Sequence, residues 1–461
     1  MKLVAKFGGS VLRDSEGYKR SAEVVKDLID NNNEVVVVVS AMKGVTDSLL
    51  NVANSIHKGW RPYVKALKAR HLRVLEELSA SPKWYKVIDA LFDELSRVLW
   101  ALEILKESTP RTRDYILSFG ERLSVNLMAA ALEKVGLRAR PMNPLEAGIY
   151  TDDNFSQVSP LYDLIEKVAK ERISNVLEEG IIPVVTGFLG TTTAGIFTTL
   201  GRGGSDLTAT ILGASLGVDE VRLYTDVDGI KTANPKEFPN AITIRELSVY
   251  EAIEMARLGA KKLHPRTFEP VLRRPVDVRV LSLYDPQGNS TLISYGKKGP
   301  KLKSVAMINE MTIITVKGVG MVGMRGTAAK VMEAAAKIGA NIYAISQPIS
   351  ETSISIVVKE EKAEAAAKAI KASLEGSGIN VEVELRKNIS TVSVVGKGLE
   401  NPSFVGDVLS MLEDMPVLMI AKGPLDLSLS VITPTKYAKE VASRYHEEIL
   451  REMKEYYGEA K

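Results

Sequence analysis

The amino-acid sequence predicts an α/β protein: an open, mainly parallel sheet sandwiched by helices, followed by two small α+β domains. Over the first 295 residues, short β-branched runs alternate with helical patterns, which is typical of a parallel sheet covered on both faces. Two long helical segments interrupt this alternation at about 59–110, with a turn between them. The C-terminal part contains an internal repeat, which predicts two similar modules.

The composition limits the classes of function. The net charge of +3 is spread along the chain, so we expect no nucleic-acid surface, and apolar runs are too short to predict a membrane span. Cysteine is absent, which excludes disulfides and thiolate catalysis and makes the cytoplasm the expected compartment. The four histidines lie far apart, which disfavours a histidine metal site.

The first 295 residues are predicted to form one domain. A helix is expected at 16–31, and a Gly/Lys/Pro stretch at 296–300 is expected to link this domain to the rest. The predicted strands lie at 3–7, 34–40, 181–186, 220–225 and 276–281.

The repeat begins at 316–321 and 394–399, where each copy has a strand followed by Gly-x-Gly. A helix and two strands follow in each copy, so the unit has β-α-β-β order. We therefore predict two α+β domains, at 304–383 and 388–461.

One segment matches the glycine pattern of a dinucleotide-binding site. Residues 318–323 fit G-x-G-x-x-G after a strand, but Tyr343 and Ala344 stand where that fold needs an acidic residue for the ribose. The second copy keeps two of the three glycines. Dinucleotide binding is therefore disfavoured here.

The glycine-rich segment 199–209 carries the strongest functional signal. It places Arg202, Ser205 and Asp206 in a turn that leads into a helix. Glycines let backbone N–H groups approach an anion, and the helix N-terminus favours negative charge. An aspartate in such surroundings is expected to meet a cation or to orient a lysine. The segment predicts phosphate chemistry on an acidic substrate.

The segment 6–10 gives a weaker signal of the same kind. Lys6 ends a predicted strand, and Gly8 and Gly9 follow it, which suits a phosphate cradle but is equally compatible with a tight turn. The P-loop pattern G-x-x-x-x-G-K-[ST] is missing from the sequence, which disfavours a P-loop NTPase.

Three further residues are open to two interpretations. Ser40 and Thr46 follow a buried strand, where they can line a site or cap a helix. Glu121 can bind a ligand, or it can be a surface carboxylate near a positive helix end.

Seven segments, in this order and spacing, resemble those of aspartate kinases in the amino-acid-kinase superfamily. They are KFGGS at 6–10, VVSAMKGVTD at 38–47, SFGERLS at 118–124, GFLGTTTAG at 187–195, TTLGRGGSDLTA at 198–209, TDVDGIKTANPK at 225–236 and GAKKLHPR at 259–266. The helical insertion also resembles that group, and the C-terminal repeat resembles paired ACT domains, the regulatory modules of the family.

The resemblance implies ATP-dependent phosphorylation of the L-aspartate β-carboxylate, the first step towards lysine, threonine and methionine. It implies Mg²⁺ carried by ATP and no metal held by the protein itself. Lys6, Asp206 and Lys261 are implied to be catalytic. The implied phosphate and nucleotide ligands are Lys6, Gly8, Gly9, Ser10, Ser205, Thr225, Asp226, Lys231, Lys236 and Lys261.

The resemblance also assigns the amino-acid pocket. Arg202 is implied to hold the α-carboxylate of aspartate and Glu121 its ammonium group, while Ser40 and Thr46 complete the pocket. Lys231 stands where the family commonly has an aromatic residue. This difference affects the expected contacts with adenine and leaves the expected phosphoryl transfer unchanged.

The first ACT copy keeps the pattern of an effector site. The implied effector ligands, for lysine or threonine, are Met321, Gly323, Gln347, Ser350 and Glu351. In the second copy Lys422 falls where Gln347 stands in the first. We hypothesise that the first copy binds the effector and the second mediates packing, in a homodimer or larger homo-oligomer.

Two alternatives remain at this point. The chain could phosphorylate another acidic acceptor, or it could be a non-catalytic amino-acid sensor. Glu121 argues against an acceptor with a blocked amine, because such a molecule has no positive charge to pair with it. A sensor has no need of groups that bind the γ-phosphate, which argues against this alternative because the sequence keeps Lys6, Arg202, Asp206 and Lys261.

Overall fold

The computed structural model describes residues 1–54, 59–259, 263–296, 299–423 and 427–458. The described residues form two compact units. The first comprises 1–230, 243–253 and 262–298, and the second comprises 231–242, 254–261 and 299–461. Within the described ranges, no helix combines the length and the apolar character needed to cross a membrane.

The first unit is built from both strands and helices. The strands are β1 Lys2–Phe7, β2 Glu34–Val39, β3 Ala139–Met142, β4 Ile182–Thr186, β5 Leu189–Thr191, β6 Phe197–Thr199, β7 Glu220–Thr225, β8 Glu246–Ser248, β9 Asp277–Ser282 and β10 Ser290–Ser294. The helices are α1 Ser15–Asp30, α2 Val45–Asn54, α3 Arg61–Glu77, α4 Pro82–Leu105, α5 Pro110–Lys134, α6 Pro144–Ala147, α7 Tyr162–Glu178, α8 Gly204–Leu216, α9 Val249–Arg257 and α10 Glu269–Arg273.

The main sheet has eight strands in the order β3-β4-β2-β1-β7-β9-β10-β8. All neighbours are parallel except β9 and β10, which are antiparallel. β1 and β2 are central, and their buried side chains are apolar on both faces except Lys6, near the end of β1. One face packs on α1 and α5, where Tyr18, Val25 and Leu127 join the core. The predicted fold class is confirmed.

The predicted strands and helices of this unit are confirmed, with ends that differ by a residue or two. The two long helical patterns form α3 and α4. The small hairpin of β5 and β6 was not predicted, because three-residue strands show too little alternation to be recognised in a sequence.

The second unit contains one six-stranded antiparallel sheet. Its strands are β11 Ser304–Lys317, β12 Ile342–Ser346, β13 Ser353–Lys359, β14 Glu382–Val395, β15 Met419–Ala421 and β16 Ser428–Pro434, in the order β12-β13-β11-β14-β16-β15. Its helices are α11 Thr327–Lys337, α12 Glu360–Glu375, α13 Pro402–Ser410 and α14 Thr435–Tyr457. Each copy of the repeat thus has β-α-β-β-α order, with a second helix that we did not predict.

The two copies share their long strands. Residues 304–308 of β11 pair with 391–395 of β14, whereas 311–317 pair with the first half of β14. The start of β11 therefore lies beside the strands of the second copy, and the start of β14 beside those of the first. The proposed domain limits 1–295, 304–383 and 388–461, with the insertion at about 59–110, stay predictions.

Candidate active site

A cavity of about 690 Å³ lies in the first unit, where β1 and β2 end and α8 begins. Loops that follow the strands of an open parallel sheet meet at one edge, which is where such folds bind ligands. Eight of the predicted site residues line this cavity: Lys6, Gly9, Ser40, Thr46, Glu121, Arg202, Ser205 and Asp206. Residues from four separate segments of the chain are thus brought together.

Lys6 and Asp206 form an ion pair on the cavity wall. Lys6 lies in the central strand β1 with its side chain 11% exposed, and its ammonium group contacts a carboxylate oxygen of Asp206 in the first turn of α8. Removing one member of a shielded pair leaves the other charge uncompensated, which costs about 3–5 kcal/mol when the pair is fully buried. Each group therefore fixes the position of the other.

The turn after β1 leaves little room for a side chain at either of its glycines. A Cβ atom on Gly8 would lie 3.0 Å from Lys6 Nζ, and a Cβ atom on Gly9 would lie 3.0 Å from the carbonyl oxygen of Ala41. Side chains at these positions would push against the lysine head and against the loop after β2. The glycines leave room for a ligand to approach the backbone.

The turn before α8 has a backbone conformation that favours glycine. Gly201 and Gly203 have φ angles of 76° and 71°, and a Cβ atom on Gly203 would lie 2.5 Å from His264 Cβ. Ser205 and Asp206 then occupy the first helical turn, where backbone N–H groups lack partners within the helix. This geometry places the positive end of the α8 dipole at the cavity.

Glu121 is a buried carboxylate with one open oxygen. It lies on α5, is 2% exposed, and its Oε1 accepts a hydrogen bond of 3.0 Å from the Ala41 backbone N–H. Among the described residues, its Oε2 has no hydrogen-bond partner. Burial raises the pKa of Glu121 to about 8. Because an ionised carboxylate is costly in such a place, the site favours a cationic ligand group.

The other predicted aspartate ligands surround the same cavity. Ser40 follows β2, and its backbone N–H donates a hydrogen bond of 3.1 Å to the carbonyl oxygen of Phe7. Thr46 is half-buried in the first turn of α2, and Arg202 is exposed in the turn before α8. The cavity therefore offers a cation and hydroxyl groups as well as the carboxylate of Glu121.

Some predicted phosphate ligands lie beside the cavity. Of the residues that the structure describes, Gly8, Ser10, Thr225 and Asp226 are not among those lining it. Arg13, which we did not predict, joins their loops: its guanidinium donates to the carbonyl oxygen of Ser10 at 2.5 Å and to Asp226 Oδ2 at 3.2 Å. The loops after β1 and β7 are therefore held side by side.

Besides Lys6, three lysines are predicted to bind the nucleotide, and the two that the structure describes do not line the cavity. Lys231 and Lys236 belong to the second unit, and Lys236 is exposed. Lys261 lies outside the described residues. The roles assigned to these three lysines stay predictions.

Several polar or charged residues of the cavity wall were not predicted, and Asp114 is one of them. Asp114 is buried on α5, and its carboxylate accepts hydrogen bonds from the Thr199 hydroxyl at 2.9 Å and the Thr199 backbone N–H at 3.3 Å. Burial raises the pKa of Asp114. The signal was present: Asp114 stands seven residues before Glu121, which places both on one face of a helix.

The predicted effector residues lie in the first copy of the repeat. The Gly323 backbone N–H donates a hydrogen bond of 2.8 Å to Glu351 Oε2, so the loops before α11 and β13 meet. Met321 is buried, whereas Gln347 and Ser350 are exposed. A cavity of about 590 Å³ lies nearby, at the end of β11, but none of the five predicted residues lines it.

Sequence comparisons agree with this architecture. The amino acid kinase family pattern matches residues 1–282, and an ACT domain pattern matches residues 314–374. Aspartokinase 2 of Arabidopsis thaliana chloroplasts is 31% identical over 97% of this chain and 84% of its own length. Aspartokinase 1 of the same plant is 34% identical over 78% of this chain, and the match covers 63% of the length of that aspartokinase.

Solved structures share the fold. Lysine-sensitive aspartokinase 3 of Escherichia coli is 29% identical over 96% of this chain and 98% of its own length. A crystal structure of E. coli aspartokinase III with lysine and aspartate has a TM-score of 0.81 at 28% identity, covering 97% of this chain and 99% of that one. The complex with aspartate and ADP has a TM-score of 0.80 at 27% identity, covering 98% and 100%.

Proposed function

This chain belongs to the amino acid kinase family and, within it, to the aspartokinases, and we propose how its residues divide the work of their reaction. The reaction transfers the terminal phosphoryl group of ATP to the side-chain carboxylate of aspartate, an early step in making lysine, threonine and methionine. The proposal rests chiefly on Glu121, a buried carboxylate with one open oxygen that lines the same cavity as the Lys6–Asp206 pair.

The chemistry requires charge neutralisation rather than a general base. The β-carboxylate of aspartate has a pKa near 3.9, so it is already ionised and nucleophilic at neutral pH. The barrier comes largely from bringing this anion to a triphosphate. Catalysis must therefore come from fixed positive groups and from alignment of the two reactants.

Lys6 supplies the fixed cation at the phosphoryl group in our proposal. Asp206 holds the lysine head in place, while the N–H groups of Gly8, Gly9 and the α8 turn, with Ser205, contact phosphate oxygens. The support is the ion pair on the cavity wall and the space that the two glycines leave. Ser10, Thr225, Asp226, Lys231, Lys236 and Lys261 stay proposed nucleotide ligands.

We propose that Mg²⁺ arrives with ATP. Mg²⁺ usually binds through substrate phosphates and one or two carboxylates. In this cavity Asp206, in the first turn of α8, would organise either Lys6 or the ion that ATP carries. When bound, the ion supplies charge neutralisation between the two anionic reactants.

Aspartate recognition requires both signs of charge. We propose that Arg202 binds the α-carboxylate, that Glu121 Oε2 accepts a hydrogen bond from the α-ammonium group, and that Ser40 and Thr46 complete the pocket. All four residues line the cavity. An ammonium group would also offset the desolvation that raises the pKa of Glu121.

We further propose an amino-acid effector, lysine or threonine, at Met321, Gly323, Gln347, Ser350 and Glu351. Support comes from the ACT pattern and from the lysine complex of the E. coli enzyme. A homodimer or larger homo-oligomer and a cytoplasmic location are likewise proposals.

The acceptor can be tested by trapping the acyl phosphate with hydroxylamine. With ATP and Mg²⁺, we expect hydroxamate from aspartate and very little from glutamate or N-acetylaspartate, because the latter has no ammonium group for Glu121. Equal product from N-acetylaspartate would refute the role of Glu121, and no product from any acidic amino acid would refute catalysis.

A further inference from the structure

Asp114 is a buried carboxylate of the cavity wall to which the proposed reaction assigns no role. Its Oδ1 accepts the Thr199 hydroxyl at 2.9 Å, and its Oδ2 lies 3.3 Å from the Thr199 backbone N–H and 3.4 Å from that of Ser156. Both carboxylate oxygens are therefore engaged by neighbouring loops. Asp114 is 2% exposed, so its carboxylate is hydrogen-bonded by these protein groups rather than by water.

Thr199 is the last residue of β6, and the glycine turn begins directly after it. Arg202 stands three residues further on, in the middle of that turn, and is exposed. Gly201 and Gly203 flank it with positive φ angles, so the turn has wide conformational freedom of its own. The bonds between Asp114 and Thr199 fix the end from which the turn departs.

The helix that carries Asp114 also carries Glu121. The two residues stand seven positions apart on α5, about 10.5 Å along one face. On another face, Arg122 donates two hydrogen bonds to Glu94 of α4, at 3.0 and 2.7 Å, which opposes rotation of α5 about its axis. The helix α5, which is held against α4, therefore contributes both Asp114 and Glu121 to the cavity wall.

We propose that Asp114 is a positioning residue for substrate binding: through Thr199 it sets where Arg202 stands relative to Glu121. The distance between the groups for the α-carboxylate and the α-ammonium of an amino acid is then fixed by α5. This inference rests on the proposed function, since it assumes that Arg202 and Glu121 bind those two groups.

The test compares Asp114→Ala, Asp114→Asn and Thr199→Val in a steady-state assay with aspartate and Mg-ATP. For Asp114→Ala we expect the aspartate KM to rise about tenfold or more, with kcat and the ATP KM changed less than about threefold. Asp114→Asn should recover most of the loss, because an amide oxygen can accept from both N–H groups while its NH₂ donates to the Thr199 hydroxyl. Thr199→Val keeps the hydrogen bond from the Thr199 backbone, so its aspartate KM should lie between those of Asp114→Asn and Asp114→Ala.

The decisive comparison is between the double variant, Asp114→Ala with Arg202→Ala, and each single variant. If Asp114 acts through Arg202, the double variant should lose little more aspartate affinity than Arg202→Ala alone. Fully additive losses, an aspartate KM within twofold of wild type in Asp114→Ala, or an equal rise in the ATP KM would each overturn the inference. Should wild type itself fail to phosphorylate aspartate, it is the proposed function that fails.

Discussion

The two regions of this molecule that carry predicted ligands are built differently. In the first unit, Lys6 and Asp206 are largely shielded from water and hold each other, and the buried Glu121 is held by the Ala41 backbone. In the second unit, Gln347 and Ser350 are exposed. The first region holds its charges in place by contacts within the protein, whereas two of the predicted effector ligands in the second are open to solvent. This contrast predicts different responses to mutation.

The largest effect is expected at the cavity cation. Lys6→Ala should lower kcat by roughly 10³-fold with a much smaller change in aspartate KM, because a fixed charge aimed at the transition state is lost. Steady-state kinetics measure both parameters. Lys19→Ala, on the exposed side of α1, is the matched control and should retain activity. A loss of less than tenfold in Lys6→Ala would contradict the prediction.

A second test separates backbone strain from crowding at the two ends of α8. Gly203 and Gly217 both have positive φ, at 71° and 61°, but a Cβ atom clashes with His264 at Gly203 and meets nothing within 4 Å at Gly217. Gly217→Ala should cost about 1–2 kcal/mol of stability. Gly203→Ala should cost more and should also lower activity. Denaturant unfolding and the kinase assay check this, and equal costs at both ends would contradict it.

The smallest effect is expected in the exposed region. Gln347→Ala should weaken binding of lysine or threonine several-fold, about 1 kcal/mol for a lost hydrogen bond, without changing kcat in the absence of effector. Lys422→Ala, at the corresponding position of the second copy, is the control and should leave effector binding unchanged. Calorimetry measures both. If neither amino acid binds wild type, or if Gln347→Ala binds as wild type does, the effector assignment is wrong.

The same contrast explains what could be predicted from the sequence. The main sheet was predictable because its buried strands are continuous β-branched runs, and the site because glycine turns directly follow β1 and β6. The spacing of Asp114 from Glu121 shows that they share a helix face, but it does not show the backbone contacts of Asp114 with distant loops. Arg13 was missed because its contact with Asp226 joins loops that are far apart in the sequence.

The second unit was less predictable in one respect. The repeat predicted two α+β modules side by side, and the structure joins them in one sheet through β11 and β14. Each of these strands has 14 residues, long enough to pair with both copies. Sequence periodicity identifies a strand but not its partner, so the shared pairing could not be foreseen.

The account depends most on the open oxygen of Glu121. Burial raises the pKa of this carboxyl to about 8, so at pH 7 it is mostly protonated in the free enzyme. A substrate ammonium group lowers that pKa, so aspartate binding should release a proton near pH 7, and affinity should rise with pH up to about 8. Calorimetry at pH 7 in two buffers of different ionisation enthalpy measures the release. The account predicts a net release in wild type and none in Glu121→Gln; no release in wild type, or the same release in the variant, would contradict it.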